Sequence, residues 1–212
     1  VGLPIPMTAV RRKSLAKQLC AAVACLHSFG LIHRDIKPHN TLVRWDGTLK
    51  LCDFGLCRDC QCAAKTPYTA VTLWWRAPEI LLGSETYGYA ADVWAVGIVL
   101  WQIYTDNHHP PWRPLGGSQI EMIYAIMQDM GRIESHVDLP DVHPTFPPWK
   151  CRRFLDTRAE SAKSIPRDAQ DLMNASVAYL SQRCSAAHLA TAPYFERTKI
   201  SPLPEVAQLR VL

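Results

Sequence analysis

Residues 33–40 read HRDIKPHN and place a carboxylate, cationic side chains and a side-chain amide within one short stretch. Those residue types suit work on phosphate. Asp35 can accept a proton from an attacking hydroxyl, Lys37 can neutralise a phosphoryl group in transfer, and Asn40 can offer its amide oxygen to magnesium. Eighteen positions beyond Asp35 comes Asp53-Phe54-Gly55, and further on Ala77-Pro78-Glu79.

Such side chains must be held between rigid elements. Over residues 8–29, Leu15, Leu19, Val23 and Leu26 recur at spacings of four, four and three, the stripe of an amphipathic helix. Thr8 can cap its start and Gly30 stops it, so the helix delivers the chain directly into residues 33–40. Two short apolar runs follow, 41–43 and 49–52, separated by Trp45-Asp46-Gly47, and Asp-Gly is a strong hairpin signal. A hairpin there brings Asn40 and Asp53 together, which no single helix could do.

Residues 56–72 lack periodicity, carry Pro67 and read as a loop. A short helix is expected over 78–82, and a longer one over 91–104 that is apolar almost all round and belongs at the centre of a core. Asp92 near its start is costly there unless it accepts backbone amides. Ile120, Ile123, Met127 and Met130 mark another helix, with the methionines as core. Residues 139–149 are punctuated by proline and read as irregular. Leu172, Met173 and Leu180 mark a helix beginning near Pro166, and a last short one covers 186–190. The expected fold class is mainly α with one small β-hairpin.

Composition bounds the alternatives. With 212 residues and 48% hydrophobic content the chain can bury one substantial core. The formal charge of +4, with no long basic run, gives no argument for nucleic acid. The longest apolar run, 93–101, is too short for a bilayer, and no basic, apolar, small-residue series opens the chain, so no membrane partner is expected. Eight cysteines, four of them Cys52, Cys57, Cys60 and Cys62, include only one Cys-x-x-Cys pair and read as reduced thiols in an intracellular compartment, nucleus or cytoplasm, rather than as a zinc site.

In order and spacing, HRDIKPHN, DFG and APE resemble the eukaryotic protein kinases. The runs VTLWWRAPEILLG, GGSQIEMI, LPDVHPTFPPW and RCSAAHLATAPYF, with Lys37 two residues after Asp35, resemble the cyclin-dependent branch of serine/threonine kinases across nearly the whole chain. The resemblance implies a catalytic loop at 33–40 and an activation segment at 53–79. It implies Asp35 as base, Lys37 on the γ-phosphate of ATP, Asn40 and Asp53 on Mg2+, and Leu42 as the floor under adenine with Cys52 beside the nucleotide. Thr72 would help place Asp35 and Lys37, Asp92 would hold the catalytic-loop backbone, Glu79 would pair with Arg183, and Arg76 belongs to the branch motif. The implied substrates are proteins with Ser or Thr followed by Pro. A phosphate on Thr69 would be drawn to Arg34 and Arg58.

Certain positions depart from the pattern. Trp75 replaces the usual tyrosine, Thr41 stands where leucine is preferred, and the stretch from Tyr68 to Thr72 is two residues short. Between Gly2 and Asp35 the only glycine is Gly30, so no glycine-rich loop precedes the catalytic motif. The expectation is therefore a kinase large lobe without its small lobe over 1–212, inactive alone, with a cyclin-like activator in a longer form. The alternative is a catalytically silent lobe that acts as a protein-interaction module.

Overall fold

The computed structural model describes residues 7–60, 72–84, 88–133, 147, 149–196 and 210–211. Helix α1, Ala9–Ser28, opens at Thr8, whose hydroxyl accepts the Arg11 N–H at 3.3 Å. It buries Leu15, Leu19, Cys20 and Val23 along one face and ends before Gly30, whose φ of +78° only glycine adopts without strain. Strand β1, Leu31–Ile32, leads into residues 33–40. The expected hairpin follows as β2, Thr41–Val43, and β3, Leu49–Leu51, paired antiparallel with Leu42 opposite Lys50.

The hairpin turn is built as its sequence suggests. Asp46 Oδ1 accepts the Thr48 N–H at 2.9 Å, and the bonds from Thr48 hold the Asp46 carboxyl below the usual range. Gln18 of α1 pins the hairpin from below, donating to Gly47 O at 3.0 Å and accepting the Leu49 N–H at 2.9 Å. One polar side chain on the helix thus fixes where the hairpin sits.

Two strand pairings were not legible. Strand β4, Arg58–Asp59, lies within the stretch expected to be loop and pairs antiparallel with β1, Leu31 opposite Asp59. Two residues are too few for any alternation to show, and the partner is non-local. Residues 61–71 of that stretch lie outside the described residues. Beyond α2, Pro78–Leu81, helix α3, Tyr89–Thr105, buries every residue from Ala91 to Tyr104 and packs against α1. This is the core helix that its uniform apolarity implied.

Helix α4, Gln119–Met130, starts on a capping box between Ser118 and Glu121 and buries Met122, Ile123, Ile126, Met127 and Met130. Ile120, read as part of its buried stripe, is instead 78% exposed, because it lies about 90° round the helix from the centre of the face that Met122, Ile123, Ile126, Met127 and Met130 bury. After α5, Ala159–Ala162, helix α6, Arg167–Ser176, follows Pro166 as expected and also packs on α3. It stops before Leu180, which belongs to a separate 3-10 turn, Leu180–Gln182. Gly97 lets α6 approach: a Cβ there would overlap Ser176 Oγ and Val177 Cγ2. Helix α7, Ala186–Ala190, lies against α1. Strand β5, Arg210–Val211, adds to the free edge of β2, giving the order β3-β2-β5 where a lone hairpin was expected. Of 139–149, only Pro147 and Trp149 are described, Trp149 standing edge-on to Tyr124. No described helix is long and apolar enough to cross a membrane.

Candidate active site

The residues between β1 and β2 converge on one carboxylate. Asp35, buried, accepts from Lys37 Nζ at 2.7 Å and Asn40 Nδ2 at 2.8 Å on Oδ2, and from the Thr72 hydroxyl at 3.3 Å on Oδ1. Lys37 Nζ also donates to Thr72 Oγ1 at 2.8 Å. Both acceptor positions of Oδ2 are therefore filled, whereas Oδ1 keeps one among the described residues. Oδ1 is the atom placed to take a proton.

The loop is fixed at its backbone. Asp92, 1% exposed near the start of α3, accepts the His33 N–H at 2.8 Å on Oδ2 and the Arg34 N–H at 2.9 Å on Oδ1. Arg34 needs this grip, since its φ of +73° lies in the left-handed region that costs a non-glycine residue about 1–3 kcal/mol. His33, fully buried, receives the Asp35 N–H on Nδ1 at 3.3 Å and faces Cys52 O with Nε2 at 3.1 Å, which calls for the Nε2–H tautomer. The Asn40 amide also donates to Asp35 O at 2.8 Å.

Asp53 reaches this loop through its neighbour: the Cys52 N–H donates to Asn40 O at 3.0 Å. Asp53 itself is exposed with φ +63°, and Phe54 packs on the His33 ring at 5.0 Å while remaining 49% exposed. Asn40 spends its amide nitrogen on Asp35, which leaves its oxygen and the Asp53 carboxylate as hard oxygen donors. That donor set fits Mg2+, which takes few protein ligands and keeps water for the rest. Leu42 lies half-buried on β2.

Further side chains tie the elements around the loop together. Glu79 and Arg183 form a buried bidentate pair at 2.6 and 2.9 Å, and Arg183 further donates to Ala90 O and Ala178 O, tying α2 to the starts of α3 and of the segment before α7. Arg76 is buried just after the 3-10 turn Leu73–Trp75, its N–H bonded to Leu73 O. Of the three residues expected to take part in regulation, Arg34 is buried and Arg58 is exposed on β4, donating to Cys57 O, while Thr69 lies outside the described residues. The departures are absorbed chemically. Trp75 donates from Nε1 to Gln102 Oε1 at 3.0 Å, and the buried Thr41 hydroxyl donates to Lys37 O at 2.9 Å.

His27 is a site residue that the sequence reading did not single out. Its Nε2 lies 3.0 Å from Asp92 Oδ2 and its ring packs on Tyr89 at 4.8 Å, so it completes the ring of partners around that carboxylate. Its place in the last turn of α1 was the available signal. Nearby, burial and the Asp92 charge push the Cys57 thiol up. The seven described cysteines are all free.

A protein kinase domain model matches residues 5–195. The chain belongs to the protein kinase family. This kinase is similar in structure to the yeast RNA Pol II CTD kinase CTDK-1 complex, with a TM-score of 0.78 and 27% identity, over 97% of this chain and 67% of that one. It is a eukaryotic protein kinase resembling the cyclin-dependent branch, with a mostly helical kinase fold.

Proposed function

We propose that the chain is the large lobe of a proline-directed serine/threonine kinase that moves the γ-phosphate of ATP to protein hydroxyls. The observation that carries this reading is Asp35, whose Oδ2 is filled by Lys37 and Asn40 while Oδ1 keeps an open acceptor position among the described residues. Asp35 takes the proton of the substrate hydroxyl, and general-base help of this kind gives roughly 10² to 10⁴-fold. Lys37, held between Asp35 and Thr72, lies where it can meet the transferring phosphoryl group. Asn40 and Asp53 would hold Mg2+, which supplies charge neutralisation on the phosphates. Leu42 forms the floor beneath adenine.

The glycine-rich loop and the ATP-binding lysine strand of a small lobe are supplied, in this reading, by residues outside the 212, and a cyclin-like activator acts through them. Phosphorylation of Thr69, read by Arg34 and Arg58, regulates the intracellular enzyme. Transfer to matched Ser-Pro, Ser-Ala and Tyr peptides by the chain joined to a small lobe tests the specificity. The Ser-Pro peptide is expected to be favoured at least about tenfold, the scale of a single good contact; equal rates on Ser-Pro and Ser-Ala reject proline direction, and a preferred Tyr peptide rejects the serine/threonine assignment. A Thr69→Ala enzyme with unaltered activity rejects the regulatory role.

A further inference from the structure

Arg113, exposed in the loop between α3 and α4, is held in a fixed pose that its own ion pairing does not explain. Its guanidinium carbon stands 4.9 Å from the centre of the Trp74 ring, and Nη1 donates to His109 Nδ1 at 2.8 Å. Stacking on an indole orders the planar fork in advance, so an incoming anion meets donors already aimed. Among the described residues no carboxylate lies within ion-pair distance of Arg113. The carboxylates of the same loop and the helix after it are engaged elsewhere: Asp106 with Arg12, Glu121 with the Ser118 N–H, and Asp129 with Arg158 and the Trp112 N–H.

The platform also stands close to the reacting centre. Trp74 comes two residues after Thr72, whose hydroxyl touches Asp35 and Lys37, so its Cα lies within about 7 Å of that of Thr72. The steps from Asp35 through Thr72 and Trp74 to Arg113 bound the separation at about 22 Å, which a peptide extended from Asp35 at about 3.3 Å per residue covers within about seven residues.

We infer that Arg113, stacked on Trp74 and bonded to His109, forms a subsite for an anionic side chain, phosphoserine or Glu, on the protein substrate within about seven residues of the acceptor hydroxyl. This rests on the kinase reading of Asp35 but is measurable without transfer. The His109 imidazole accepts from the same guanidinium, and the pair adds a recognition element to a site that otherwise reads only the hydroxyl and its neighbour.

The test is fluorescence anisotropy of labelled Ser-Pro peptides on the 212-residue chain, with one Glu or one phosphoserine moved through about seven positions on each side and the Pro after the acceptor Ser kept. At one position the charged peptide is expected to bind roughly tenfold tighter than its neutral parent, phosphoserine more than Glu, with the gain shrinking at high salt. Arg113→Ala is expected to remove the gain, and Arg113→Glu to replace it with a preference for Lys at the same position. The charged-to-neutral ratio cancels any general loss of binding, and a thermal melt confirms that each variant folds. No charged position with a gain, or a gain that survives in Arg113→Ala, overturns the subsite. Failure of the kinase reading shows separately, as absent transfer to the neutral Ser-Pro peptide by the chain joined to a small lobe.

Discussion

Asp92 Oδ1 accepts the Arg34 N–H at 2.9 Å across 58 residues of sequence, and Arg34 is the residue of the 33–40 loop with a φ of +73°. The carboxylate and the strained backbone are two halves of one device: the strain turns the chain so that Asp35 points inward, and the carboxylate holds that turn. In Asp92→Asn, the new amide directs a donor at a backbone donor. Leaving one buried N–H unpaired costs about 1–3 kcal/mol, which for a chain of this size lowers Tm by roughly 2–12 °C. A thermal melt checks this, and an unchanged Tm would mean that Asp92 does not hold the loop.

The Glu79–Arg183 pair is buried, with both side chains at most 6% exposed. Removing one partner strands the other charge, so Glu79→Gln or Arg183→Ala is expected to destabilise by about 3–5 kcal/mol, and the double variant by much less than the sum. Urea titration of the four proteins gives the coupling. Additive losses would show that the two act independently.

Cysteine reactivity follows burial. The Cys20 thiol, buried in α1, is pushed up to about 12, mainly by burial, so it stays protonated through the neutral range. At pH 8 about one molecule in 10⁴ carries the reactive thiolate. Cys184 is shifted in the same direction, again mainly by burial. Cys25 and Cys151 are exposed. Alkylation of the folded protein followed by peptide mass spectrometry is expected to label Cys25 and Cys151 first and Cys20 only on unfolding. Early labelling of Cys20 would contradict the packing of α1.

Gly97 sits where α3 and α6 touch. Gly97→Ala gains about 1 kcal/mol of helix propensity but drives a methyl into Ser176 and Val177. Overpacking of that kind costs typically 1–3 kcal/mol, so the net effect is expected to be destabilising. Trimming both neighbours in Gly97→Ala/Ser176→Ala/Val177→Ala is expected to relieve the overlap, read as a smaller loss than the three substitutions summed. A more stable Gly97→Ala would show that α6 yields freely.

Much of this was legible because the signals were local. The stripe Leu15, Leu19 and Val23, the Thr8 cap and the Asp46-Gly47 turn each lie within one element, and each appears where expected. The site was legible for a related reason: Asp35, Lys37 and Asn40 come from one short loop, and the hairpin carries Asp53 to it. Contacts set by chain return were not. β1–β4 and β2–β5 are two-residue ladders between distant segments, and His27 acquires its meaning only from Asp92, 65 residues away. Ile120 misled because apolar spacing records a helical period and not where the buried face is centred, which Met122 and Ile126 shift away from it.

The central claim is that Asp35 serves as the base of a phosphoryl transfer. Its most direct test is the magnesium-dependent transfer rate from ATP to a Ser-Pro peptide, measured for Asp35 and Asp35→Asn forms of the chain joined to a small lobe. The predicted result is transfer by the first and a loss of roughly 10² to 10⁴-fold in the second with peptide binding retained. Equal rates, or no transfer by either form, would contradict the account and favour a lobe that binds other proteins without phosphorylating them.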